Sequence, residues 1–176
     1  MAVKWYNIFY MLQSSEGIKI KGVFKIRSYK AGTHEQVGEE IVSQNLIMQG
    51  TNTGFDLILQ ALNGFSISPP YALGINYGAI GTGQVTPVVA DTQLTAEVAR
   101  TPLSTSQFTA HNEIQMQFFF SDGLLPNQTY YEAGTFVNGS SVANSGQIFD
   151  HALFVSPYTK SAGVDTTLEL DISFSQ

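Results

Sequence analysis

The chain contains no cysteine. That removes disulfides, thiolate nucleophiles and Cys-ligated zinc, and it leaves the redox compartment open. Charge is also scarce. Charged residues are 12% of the 176 positions, about half of the roughly 25% of an ordinary globular domain. Much of the surface must then be Ser, Thr, Asn, Gln and Gly, or be buried against other subunits, and either suits a protein that lives in an assembly. The net charge of −6 argues against a nucleic-acid partner. Long apolar runs are missing: no stretch reaches the about 18 residues of a membrane-crossing helix, so no membrane insertion is expected. The N-terminus, M-A-V-K-W-Y-N-I-F-Y-M-L-Q, is interrupted by Asn7 and Gln13 and lacks a small-residue cleavage site. It does not read as a signal peptide.

Chemistry-bearing patterns are few. The three histidines, His34, His111 and His151, show no H-x-H or H-E-x-x-H spacing, so a transition-metal site has little support. Asp150 and His151 are neighbours, but adjacent strand residues point to opposite faces, so both read as structural. There is no G-x-S-x-G elbow and no P-loop. The Gly78–Gly83 stretch, G-A-I-G-T-G, has no following Lys and no capped helix to bind phosphate. Asp91, Asp122 and Asp165 fall in loops without a D-x-D-x-D-G calcium pattern. The expectation is no catalytic residue, no cofactor and no metal.

The length suits a single domain over 1–176 with a sizeable core. Alternating strands separated by turns fill most of it. Ile18–Tyr29 puts Ile18, Ile20, Phe24 and Ile26 on one face and Lys19, Lys21, Lys25 and Arg27 on the other. A turn at 31–34 leads to a strand over 35–48, whose Glu35, Glu39 and Glu40 are placed to pair across the hairpin. The period then changes: Phe55, Ile58, Leu59 and Leu62 predict one short helix near residues 53–62, capped by Thr51, Asn52 or Thr53. Tyr71–Gly83 reads as a strand running into a Gly-Thr-Gly turn, where Gly81 and Gly83 serve either positive φ or the close approach of another segment. Residues 91–100 fit a helical turn or an extended segment. Phe108–Phe120 reads as one strand, followed by strands over 128–137, 146–156 and 166–176, with 157–165 as a loop. This pattern predicts a mainly β fold, a β-sandwich of jelly-roll-like type with one short α-helix.

Two sets of residues stand out as sites of contact. Residues 1–13, with Trp5, Tyr6 and Phe9, read as an N-terminal arm or a strand exchanged between subunits. With Lys19, Lys21, Lys25 and Arg27 they form a candidate subunit interface, although a Lys-rich strand also serves to guard an edge. Glu97 and Arg100, three apart, form a candidate structural ion pair. The tyrosines Tyr6, Tyr71, Tyr130 and Tyr158 offer stacking platforms for a sugar, the alternative being core and inter-subunit packing.

Several stretches taken together resemble a family. N-L-I (45–47), the short helix, Y-G-A-I-G-T-G (77–83), T-P (86–87), D-T-x-L-x-x-E-x-x-R (91–100), an alternating aromatic strand, E-A-G-x-F (132–136), F-x-x-P (154–157), Lys160 and the closing L-x-L-x-I-x-F (168–174) are similar to tailed-bacteriophage virion structural proteins of tail, tail-fibre or head-fibre type. The resemblance spans roughly Asn45 to the end. It implies a non-enzymatic, homo-oligomeric building block of tail, fibre or capsid surface, whose partners are its own copies and other virion proteins and whose location is the virion. It carries over no catalytic residue. The alternative is a carbohydrate-binding adhesion module that recognises a host-surface glycan.

Overall fold

The computed structural model describes residues 19–62 and 74–175. These described residues hold nine strands and one helix: β1 (Lys19–Lys30), β2 (Gln36–Gln44), β3 (Leu46–Ile47), α1 (Gly54–Leu62), β4 (Ile75–Gly81), β5 (Glu97–Ala110), β6 (Glu113–Phe120), β7 (Thr129–Val137), β8 (Gln147–Thr159) and β9 (Val164–Ser175). The strands form one row in the order β2-β1-β9-β6-β5-β4-β7-β8-β3, and every neighbouring pair is antiparallel. The fold is mainly β with one short helix, as the alternation predicts.

The row turns at two corners and nearly closes at one of them. At one, β2 pairs with β1, the chain passes Asn45, and β3 pairs with β8. The Val155 amide on β8 donates to Ser43 Oγ on β2 at 2.9 Å. At the other corner β5 changes partner. Glu97–Pro102 pairs with β4, and from Leu103 onward the strand pairs with β6. Pro102, which has no amide to donate, stands where the partner changes.

The interior is filled by the inward rungs of both halves. Ile26, Leu168 and Phe118 lie side by side, as do Phe24, Leu170 and Met116, and facing them are Ile80, Ala133 and Ala152. All belong to, or pack on, one apolar cluster completed by Phe120, Phe149, Phe154 and Ile172. Gly78 is in β4 because the Phe118 ring covers it: a Cβ there would lie 2.5 Å from the ring.

Several boundaries differ from the sequence expectation. Phe108–Phe120 is the junction of β5 and β6, with the hairpin turn at His111–Asn112. The polar run T-P-L-S-T-S-Q hides β5, because its outer half is exposed on an edge and shows no apolar alternation. Strand β8 continues through Pro157 to Thr159. The ladder to β7 is interrupted between Leu153 and Tyr158, so a residue without an amide hydrogen costs no bond there. The helix forms at the expected place, but its buried face is Gly54 and Leu57, flanked by Phe55 and Ile58. Leu59 and Leu62 are 63% and 80% exposed, so of the i, i+3, i+4, i+7 stripe Phe55 and Ile58 pack on the core and Leu59 and Leu62 do not. Trp5, Tyr6, Phe9 and the 1–13 arm lie outside the described residues, as does Tyr71.

Candidate functional site

The outward face of the β4–β7–β8 half carries a buried polar cluster. Its rungs are Glu97–Gly81–Glu132–Leu153, then Arg100–Ala79–Gly134–His151, then Pro102–Tyr77–Phe136–Ile148. The loop after β4 folds over this face, with Leu94 buried against Met48, Ala79, Phe136 and Ile148.

Glu132 is fully buried at its centre. One carboxylate oxygen accepts from the amides of Gly83 (3.0 Å) and Ala96 (2.7 Å), the other from Thr95 (3.0 Å). His151 Nε2 lies 2.9 Å from Glu132 Oε2, and its Nδ1 lies 2.8 Å from Asp91 Oδ2. Both ring nitrogens therefore face oxygens that only accept, and the ring satisfies both when it carries two protons. Burial alone would lower the His151 pKa, but hydrogen bonds to Glu132 and then Asp91 outweigh it, and the net shift is upward. Burial likewise opposes ionisation of Glu132, yet His151 and the Ala96 and Thr95 amides hold its pKa below the ordinary value. The result is a carboxylate–imidazolium–carboxylate triple that clips the 82–96 loop to β7 and β8. An imidazolium so placed has no lone pair to serve as a base or a metal ligand.

The same triple accounts for the Gly-Thr-Gly turn. A Cβ on Gly81 or on Gly83 would lie 2.5 Å from Glu132 Oε1. These glycines serve close approach; positive φ is not what they supply.

Glu97 and Arg100 form a bidentate pair, Nε to Oε1 at 2.6 Å and Nη2 to Oε2 at 2.7 Å, with both side chains buried. They do so on a strand rather than on a helical turn. Residues three apart on a regular strand point to opposite faces. A bulge opposite Ile80 and Gly81 inserts Val98 and brings Glu97 and Arg100 to the same side. Arg100 Nη1 also donates to the carbonyls of Ser140 and Ser145, and the guanidinium lies over the Phe136 ring at 4.5 Å. The pair thus fastens the 138–146 loop.

Asp150 and His151 do point apart. Asp150 is fully buried and accepts from the Thr135 amide (2.8 Å) and hydroxyl (2.7 Å) and from Asn45 Nδ2. Burial pushes its pKa up to about 6. Asn45 Oδ1 is the buried side-chain polar atom left without a partner among the described residues.

On the outward face of the other half, the basic strand meets acids. Glu169, almost wholly buried, accepts from Arg27 Nη1 (2.8 Å), Lys25 Nζ (3.2 Å) and Gln117 Nε2 (2.9 Å). Lys25 also pairs with Asp171, and Arg27 with Glu40. Of Glu35, Glu39 and Glu40, Glu40 closes the hairpin pair, and β9 supplies the larger share of the acids. Lys25 and Arg27 are thus engaged within the chain, while Lys19 and Lys21 are exposed. Lys160, with its side chain buried, donates to Asp122 (2.6 Å), Asn127 (2.9 Å) and the Ser161 carbonyl (3.2 Å). Its hydrogen bond is the main reason the Asp122 pKa is lowered.

Two of the tyrosines named as sugar platforms are inside. Tyr130 and Tyr158 stack on each other at 6.2 Å and are buried, so they offer no face to a ligand. Among the described residues no group of three or more His, Cys, Asp or Glu is placed to hold a metal ion.

Sequence reasoning places Asp91 in a loop and misses its tie to His151, and it gives Glu132 no role of its own. A signal was there for Glu132, a lone acid inside the apolar run Y-Y-E-A-G-T-F-V, which a strand buried on both faces tolerates only with dedicated partners. Taken together, fold and site define an antiparallel β protein whose polar clusters pin loops to strands. The chain matches no protein-family model, no curated protein and no solved structure.

Proposed function

We propose that this chain is a non-enzymatic, homo-oligomeric structural component of a tailed-phage particle, placed in the tail, fibre or capsid surface. In this reading the nearly closed sheet is a jelly-roll-like β-sandwich, its two halves joined by β5 and by the β2–β3 corner. Its partners are copies of itself and other virion proteins, and its location is the virion.

One observation carries the proposal. The motif residues behind the resemblance, Gly81, Gly83, Asp91, Leu94, Glu97, Arg100, Glu132, Gly134 and Phe136, gather on one sheet face as contiguous buried packing. Motifs well separated along the chain behave as a single scaffold unit, which supports reading them together. Their chemistry is that of holding a shape: ion pairs closed on themselves and glycines that make room for a carboxylate.

The test is the mass of the native protein by light scattering, with and without residues 1–13, together with mass spectrometry of purified particles. A discrete multimer that dissociates on truncation, from a protein found in particles, is the expected result. A monomer absent from particles would overturn the reading.

A further inference from the structure

A groove of about 410 Å³ lies on the outward face of the β1–β9–β6 half, beneath the β1–β2 hairpin. Its floor is Thr167 on β9. Tyr29 on β1 and Phe119 on β6 stand to either side, because Thr167 pairs with Phe119 on one flank and Tyr29 pairs with the neighbouring Asp165 on the other. Strands β1 and β6 are two ladder spacings apart, about 10 Å, and Thr167 is shorter than Arg27 and Phe119 on its own rung and than Tyr29 on the next outward one, which leaves a trough over it. Thr33 and His34 of the hairpin and Ser104 of β5 form the rim. Phe119 is 45% exposed, and it lines this space.

We propose that this groove binds a neutral saccharide, one pyranose ring seated over Thr167 against Phe119 and Tyr29. The carboxylate that lines it, Asp165, has both oxygens already engaged by backbone amides. Asp165 accepts from the Gly32 amide (2.9 Å) and the Asp122 amide (2.8 Å). Arg27 is held by Glu169 and Glu40. Among the described residues no Lys or Arg lines the groove, so a phosphate or carboxylate ligand finds no counter-charge there. What remains is ring face together with hydroxyl, amide and imidazole groups. Ser104 Oγ accepts from the Phe119 amide at 3.1 Å and so keeps its hydroxyl proton to donate. Apolar ring faces bordered by groups that both donate and accept match a molecule whose C–H face is apolar and whose edge is hydroxyls. A wholly apolar ligand would strand the polar rim. The groove is independent of the assembly reading: binding at these residues stands or falls whatever the light-scattering mass.

The experiment is an ¹H–¹⁵N NMR titration of the full chain with the methyl glycosides of glucose, galactose and mannose and with N-acetylglucosamine, up to tens of millimolar. At least one is expected to give saturable shifts centred on the amides of Tyr29, His34, Phe119 and Thr167. Phe119→Ala should then weaken binding at least fivefold. His34→Trp, at an exposed hairpin position that tolerates a bulky side chain, should obstruct it and serves if the Phe119 variant does not fold. No saturable shift with any of the four sugars, shifts centred elsewhere, or unchanged affinity in a folded variant would overturn the proposal.

Discussion

Glu132 and His151 meet at 2.9 Å on adjacent strands, and both side chains are withdrawn from water. Neither is tolerable there alone: an unpaired ion in the interior carries a desolvation penalty of several kcal/mol. Together with Asp91 and three backbone amides they form a closed set, and it is the loop 82–96, with little secondary structure of its own, that the set holds down.

Glu132→Gln tests that role. The amide keeps the shape but removes the charge and offers an N–H where a donor already points. Breaking a buried pair from one side costs about 3–5 kcal/mol, and a loss of at least about 2 kcal/mol in urea unfolding at pH 6 is expected. Unchanged stability would mean that the loop is fastened by Leu94 and its apolar contacts instead.

Stability should also depend on pH in a defined direction. The His151 pKa is raised above 6.5, so its contribution is complete below the unfolded value and is lost as pH rises through the folded one. Asp150, raised from 3.8 to about 6, acts with the same sign: the cost of ionising it inside the fold appears as pH climbs through that interval. Glu132 and Glu169 are lowered from 4.5, so their contribution is present above 4.5 and fades as pH falls through their folded values. The melting temperature should therefore peak at about pH 4.5–5, fall as Asp150 ionises, and fall further towards about pH 8 as His151 loses its proton. Calorimetry across that range checks it. The fall above about pH 6.5 should vanish in His151→Gln, and a melting temperature that rises steadily to pH 8 would contradict the assignment.

Gly83→Ala should destabilise although the residue lies in a turn. Its Cβ would sit 2.5 Å from both Glu132 Oε1 and Thr95 Cβ, and the carboxylate cannot retreat without leaving three amides and His151. Overpacking of this kind costs about 1–3 kcal/mol. Gly32, with positive φ and no atom within 4 Å of where a Cβ would stand, is the control: its Ala variant suffers backbone strain alone. Thermal melts of the two variants separate the causes, and equal losses would show that close packing at Gly83 is unimportant.

Glu169→Gln should uncouple the outward ladder. Among the described residues it leaves Arg27 and Lys25 with Glu40 and Asp171 as acidic partners. Because both cations are about a quarter exposed, solvent screens much of the effect, and about 1–2 kcal/mol is expected rather than the full buried-pair value. Chemical denaturation with and without added salt measures it, and a change below about 0.5 kcal/mol would place this ladder among surface pairs of no consequence.

The β character, the helix near 54–62 and the faces of β1, β6 and β9 were legible in the residues alone, because period-2 alternation is a local consequence of strand geometry and survives any tertiary arrangement. The same local rule settled that Asp150 and His151 point apart. It could not reveal β5, whose exposed edge half has no apolar face to display, nor the continuation of β8 through Pro157, which depends on a gap in the ladder. Which stripe of α1 packs was decided by where β8 lies, so Leu57 is covered and Leu62 is left in water. The partners of Glu132, Arg100 and Glu169 come largely from segments distant in the chain, brought alongside by register and by the bulge at Val98. Sequence spacing holds no record of such register, and so the polar clusters and the groove over Thr167 belong to the tertiary structure.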